Sequence, residues 1–230
     1  MSSAISNVFS SRITTMVVKD QPIEKLSELL IRIGRIQYLV IAFIISGYIV
    51  FGKAFIHFWS GDAYMEAYYI ALYTMIPLAI PLIQNVAYNT ILAQKKHKFR
   101  SIIYAIIAVV NVISTYMAIP KYGIIGAAVC TAIAYVIGNG IIMNIYYYKV
   151  TKLDIPKFWL NIAKISVVPV IFSIAGLYIV NKILIINSIK LFLIEVIAYS
   201  VLYIVCIWLI SMNQYEKSIF YDMIKFIKKK

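Results

Sequence analysis

The chain has 230 residues, 63% hydrophobic and only 13% charged, whereas a soluble domain of this size carries roughly 25% charged residues. Too little polar surface is available to cover a water-soluble globule. Lys and Arg number 22 against 9 Asp and Glu, a net charge of +13, and these cations lie between apolar runs, which fits membrane topology and anionic lipid headgroups rather than nucleic acid.

Residues 1–20 hold no long apolar core and no small-residue cleavage site, so they do not read as a secretory signal peptide. In 22–35, Leu26, Leu29, Leu30 and Ile33 fall on one helical face, with Pro22 at a first helical position and Glu24 in the first turn. That pattern fits a helix lying on the inner leaflet, the plain alternative being a solvated connector. A helical crossing of the hydrocarbon core needs about 20 largely apolar residues. Six segments meet that length approximately: 36–58, 67–92, 102–119, 124–146, 158–180 and 191–210. They are too long, and lack the polar alternate face, for strands of a membrane barrel. The tail repeats the amphipathic pattern, with Ile219, Phe220, Met223, Ile224 and Ile227 opposite lysines over 216–230.

Basic residues concentrate in alternate loops: Arg12, Lys19, Lys25, Arg32 and Arg35 at the start, Lys95, Lys96, Lys98 and Arg100 after the second span, Lys149, Lys152 and Lys157 after the fourth, and Lys228–Lys230 at the end. The intervening loops are poor in cations, which predicts six crossings with both termini cytoplasmic.

Within the second span, Pro77 and Pro81 each remove a backbone donor and predict a kinked or unwound helix. Gln84, Asn85 and Asn89 follow, the two asparagines on one face. A kink followed by amides suits a substrate cavity or a gate, and equally suits interhelical hydrogen bonding at roughly 0.6 kcal/mol per bond. Asn111 in the third span needs protein or water as partner, packing being the favoured reading. Gly126, Cys130, Ala134 and Gly138 recur every four positions and predict close helix approach; Asn139 beside them is ambiguous. Cys130 and Cys206 lie in apolar segments and suggest neither a disulfide framework nor a metal site. Lys53, His57 and Lys164 lie near span ends, and Glu195 is about one turn inside the last span, where a carboxyl is a candidate ion-coupling group or simply reaches the interface. No phosphate loop, metal-ligand cluster or Ser-His-Asp set is present, and His57 and His97 fall on opposite sides of the membrane. The chain therefore reads as a membrane protein with no catalytic, metal or cofactor site.

The stretch Ile119-Pro120-Lys121-Tyr122-Gly123-Ile124-Ile125-Gly126-Ala127-Ala128-Val129-Cys130-Thr131, preceded by Asn111, resembles the signature of bacterial polysaccharide flippases. These are the O-antigen and capsular repeat-unit exporters of the multidrug/oligosaccharidyl-lipid/polysaccharide superfamily. Phe51-Gly52, Phe58-Trp59-Ser60-Gly61-Asp62-Ala63-Tyr64 and Ile91-Leu92-Ala93-Gln94-Lys95-Lys96 support the resemblance. Phe9-Ser10-Ser11-Arg12-Ile13 looks like the cytoplasmic end of a preceding family helix, with Ser11 where relatives often carry proline.

The resemblance implies an all-α, MATE-like bundle of six transmembrane helices with interfacial helices, in the bacterial cytoplasmic membrane. It implies translocation of undecaprenyl-pyrophosphate-linked oligosaccharide, with Gln84, Asn85, Asn89 and Asn111 toward the sugar, Arg12, Arg35 and Arg100 toward the pyrophosphate, and Glu195 as a coupling site. Relatives place two such bundles around a cavity, so this chain is expected to be a second half, either a fragment or one that needs a missing N-terminal bundle or partner chain. The rival readings are a drug or cation antiporter of the same superfamily, a glycosyltransferase or polymerase, and an inactive fragment or non-transporting membrane partner. Acidic residues deep in the spans would mark the antiporter, and a sizeable outer loop the enzyme; the sequence holds almost none of the former and no such loop.

Overall fold

A computed structural model of the chain describes residues 2–182, 188–218 and 221, with side chains from Ser10 onward. The described residues form helices joined by short turns, without a strand. The order is α1 (Ser2–Val18), α2 (Ile23–Ser60), α3 (Glu66–Ile83), α4 (Asn85–Ala93), α5 (Lys98–Tyr135), a π-helical turn (Val136–Ile142), α6 (Met143–Lys149), α7 (Ile155–Lys182), α8 (Ile189–Cys206) and a second π-helical turn (Ile207–Ser211). Among them, five helices are long and apolar enough to cross a membrane: Ile23–Ser60, Asp62–Ile83, Lys98–Lys149, Ile155–Lys182 and Ile189–Ser211.

The 52-residue member of this set is a hairpin. Gly123 leaves helical geometry at φ 59°, ψ −150°, a region open essentially only to glycine, and Pro120 just before it lacks the N–H that would continue the helix. The two legs then run back together. Phe99 stacks on Tyr146 with ring centroids 4.4 Å apart, and Lys96 Nζ donates to the Val150 carbonyl at 3.3 Å. The small-residue stripe packs inside the hairpin, Gly126 against Tyr122 and Ala118, and Gly138 against Ile107.

Residues 22–35 depart from the expected leaflet-bound helix. Pro22 caps a helix that begins at Ile23 and continues without interruption into the first apolar segment, 38 residues in all, about 57 Å long at 1.5 Å per residue. Leu26, Leu29, Leu30 and Ile33 are buried in a core shared with Val86, Ile91, Met143 and Phe158. The apolar face is therefore covered by protein, and the helix is longer than a hydrocarbon core of about 30 Å. Ile219, Phe220, Met223, Ile224, Ile227 and Lys228–Lys230 of the tail lie outside the described residues.

α2 packs on α7 and α3, α3 on the hairpin, and α1 on α4. The core lies at the end of the bundle where the basic segments gather. There the Asp154 N–H donates to Ser27 Oγ at 3.1 Å, tying the 150–154 loop to α2. Arg35 reaches the chain beyond α8, its Nε 2.5 Å from Glu216 Oε1. At the opposite end His57 Nδ1 lies 2.6 Å from Asp62 Oδ1, and Lys53 Nζ sits over Tyr68 and Tyr69.

Candidate functional site

α2, α3 and α7 enclose a half-open cavity of about 710 Å³, within the usual range of about 300–1,000 Å³ for ligand pockets. Its walls are mostly aliphatic, with Ile45 and Ile49 from α2, Ile76 and Ile80 from α3, and Val170 from α7. A few polar groups interrupt them. Ser166 Oγ donates to the Ile162 carbonyl at 2.7 Å, so at the 2.6 Å contact with Tyr38 the phenol is the donor. Ser46, Ser173 and Trp159 also reach the lining.

Behind Trp159 lies a continuous polar network. Asn144 on α6 is its hub and is only 8% exposed. Its Oδ1 accepts from Gln84 Nε2 at 2.6 Å and from Trp159 Nε1 at 2.8 Å. Its Nδ2 donates to the carbonyls of Asn139 at 2.7 Å and Gly140 at 2.9 Å. Both donors and both lone pairs of the amide are thus used. The Asn139 side chain accepts from the Tyr104 hydroxyl, and Tyr104 Oη accepts from Arg100 Nη2 at 3.0 Å. The Arg100 guanidinium lies over the Tyr88 ring at 3.9 Å and the Tyr104 ring at 4.7 Å, contacts whose strength rises where water is excluded.

The helix irregularities that build this network have local causes. α3 stays helical through Pro77 and Pro81 and ends at Ile83. The interruption falls beyond both prolines, at Gln84 (φ −105°, ψ 19°), whose N–H turns back to the Pro81 carbonyl at 3.3 Å. Released from the helix, the Gln84 side chain points across to α6. The π-helical turn surrounds Asn139 with Gly138 and Gly140, which leave room for Ile107 and Ile80.

Of the residues singled out in the sequence, Gln84, Arg100 and Asn139 belong to one network, and the other polar candidates are dispersed. Asn85 Nδ2 donates to the Leu82 carbonyl at 2.9 Å, bracing the α3–α4 joint. Asn89 is half-buried on α4. Asn111 Nδ2 meets Thr131 Oγ1 at 3.4 Å, joining the legs of the hairpin. Arg12 is exposed beside Lys25, Glu28 and Arg32. Arg35 is buried with both its Nε and Nη2 engaged: Nη2 donates to Glu216 Oε2 and to the Ser211 carbonyl, each at 3.0 Å. Glu195 is part-exposed on α8, and its Oε2 has no hydrogen-bond partner among the described residues.

Asn144, Tyr104 and Trp159 were not singled out in the sequence. In a regular helix Asn139 and Asn144 point to widely separated faces, at about 100° per residue. The π turn breaks that register and brings the Asn139 carbonyl within reach of the Asn144 amide. The sequence offered only Asn139 between two glycines, with Asn144 five residues on, inside an apolar span.

No family model, curated protein or solved structure matches the chain.

Proposed function

We propose that this chain is one half of a flippase that moves a lipid-linked oligosaccharide, joined to its lipid by pyrophosphate, across the bacterial cytoplasmic membrane. A first bundle from another segment or chain completes the transporter. In this reading the hairpin crosses twice, giving a MATE-like bundle of six crossings with both termini cytoplasmic. The return of Val150 to Lys96 supports that count, because it puts two of the basic loops at one end as the charge rule requires.

The observation that carries the reading is the half-open aliphatic cavity backed by a polar network. An amphiphile with a hydrocarbon chain and a sugar headgroup needs both surfaces side by side. Arg100, held between two tyrosine rings, is the cation best placed for a phosphate at the basic end. Arg35 is committed to Glu216 and drops from that role.

The test is genetic and biochemical. Deleting the gene is expected to abolish the surface polysaccharide and to accumulate its lipid-linked repeat unit in the inner leaflet. Restoring the gene with Arg100→Ala should recover export poorly, and Arg100→Lys partly. Surface polysaccharide unchanged by the deletion would rule the proposal out.

A further inference from the structure

Two weak points in separate helices face each other across the bundle. One is the end of α3, where Pro77 and Pro81 withhold two backbone donors and Gln84 departs from helical geometry. The other is the π-helical turn 136–142, a class of irregularity frequent at functional sites. They are in contact: a Cβ on Gly140 would lie 3.4 Å from Cδ1 of Ile80, the residue just before Pro81. A single side chain, Asn144, bonds to both, taking Gln84 with its oxygen and the turn's carbonyls with its nitrogen. The same oxygen holds Trp159, which lines the cavity.

We infer that the Gln84 break and the π turn act as one joint pinned by Asn144, so that displacement of Trp159 at the cavity wall is transmitted to Arg100 at the basic end. Each step is a bond already described: Trp159 to Asn144, Asn144 to the Asn139 carbonyl, the Asn139 side chain to Tyr104, and Tyr104 to Arg100. Because Asn144 has no spare donor or acceptor, α4 cannot swing without breaking the Gln84 bond or dragging the turn with it. A static packing contact would have no such all-or-none character. The joint goes beyond the transport proposal and holds whatever the cavity binds.

The experiment uses the full chain in lipid nanodiscs and needs no transport assay. Of the three tryptophans, Trp59 and Trp208 are replaced by Phe, leaving Trp159 as reporter. Tyr104→Phe removes one hydroxyl on α5 that bonds Asn139 and Arg100, three links away from Trp159. The expected result is a red-shifted Trp159 emission and at least twofold stronger quenching by acrylamide, in the same direction as Gln84→Leu and Asn144→Leu. Combining Tyr104→Phe with Gln84→Leu should add little to either alone. Spin labels at Leu92 on α4 and Leu160 on α7, both exposed, with Cys130 and Cys206 replaced by Ala, should show a second distance population in the same variants. If Tyr104→Phe lowers thermal stability while leaving Trp159 emission, quenching and the distance distribution unchanged, the network is only packing and the inference is overturned. Tyr104→Phe keeps the ring under the Arg100 guanidinium, so this outcome remains readable even if Asn144→Leu fails to fold.

Discussion

Glu216 does two jobs at one carboxylate. Its backbone N–H donates to Asn213 Oδ1 at 2.8 Å while its Oε2 accepts from the Asn213 N–H at 2.9 Å, the reciprocal bonding of a capping box that starts a helix. The same carboxylate neutralises Arg35, a pair with side chains 9% and 1% exposed. Removing one partner of a buried pair leaves the other charge unpaired and typically costs about 3–5 kcal/mol. Arg35→Ala and Glu216→Gln should therefore each lower the thermal midpoint in detergent markedly. The double variant Arg35→Met with Glu216→Leu should lose much less than the sum. Thermal denaturation followed by tryptophan fluorescence checks this, and an unchanged midpoint for Glu216→Gln would show that the pair contributes nothing. Neighbouring contacts follow the same strap: Arg32 lies 4.9 Å over Tyr215, and Lys217 lies 5.9 Å over Trp208.

Two glycines decide how the elements meet. Gly34 sits where α2 crosses α7 and the end of α3: a Cβ there would lie 2.5 Å from Phe158 Cε2 and 2.8 Å from the Ile83 carbonyl oxygen. Phe158 is fully buried and the carbonyl is backbone, so neither can retreat. Gly34→Ala should cost about 1–3 kcal/mol as overpacking, and the strain falls beside the Gln84 joint. Gly123→Ala is strained by backbone rather than by contact, since nothing lies within 4 Å of its Cβ position. At φ 59° and ψ −150° the cost is again about 1–3 kcal/mol. Gly47→Ala is the control, being helical with open space around it. Unfolding midpoints should rank Gly47→Ala near the parent and the other two well below it.

The same elements show what the sequence revealed. Long apolar helices were legible because twenty-residue apolar runs favour helix, and the Gly123 turn because Pro-Lys-Tyr-Gly interrupts such a run, whereas the expected 67–92 segment is divided at Gln84 into α3 and α4. The continuation of 22–35 into α2 was not legible, because an amphipathic face looks the same whether lipid or protein covers it. Gln84 was visible as an amide after prolines. Its partner Asn144 lies 60 residues on, behind a π turn that no residue pattern announces. Arg35 looked available because its partner Glu216 is 181 positions away.

At the scale of the whole molecule, burial is uneven. The most apolar window of the hairpin has none of its residues buried, and Val109, Val112, Ile113 and Tyr116 stand exposed, whereas the end carrying the basic loops holds the core. An apolar surface on that scale must meet lipid or other membrane helices. The two legs of the hairpin span about 25 and 26 residues, or about 38 Å each at 1.5 Å per residue, each enough for a hydrocarbon core of about 30 Å. Single cysteines in a background without Cys130 and Cys206 test this arrangement directly. Membrane-impermeant maleimide added to intact spheroplasts should label positions 62 and 121, at the α2–α3 turn and the hairpin tip. Positions 95 and 152 should react only after the membrane is opened. If position 121 instead labels with 95 and 152, the hairpin does not cross and the count of six fails. The two basic loops would still meet on one side through Lys96 and Val150, but the chain would cross four times rather than six.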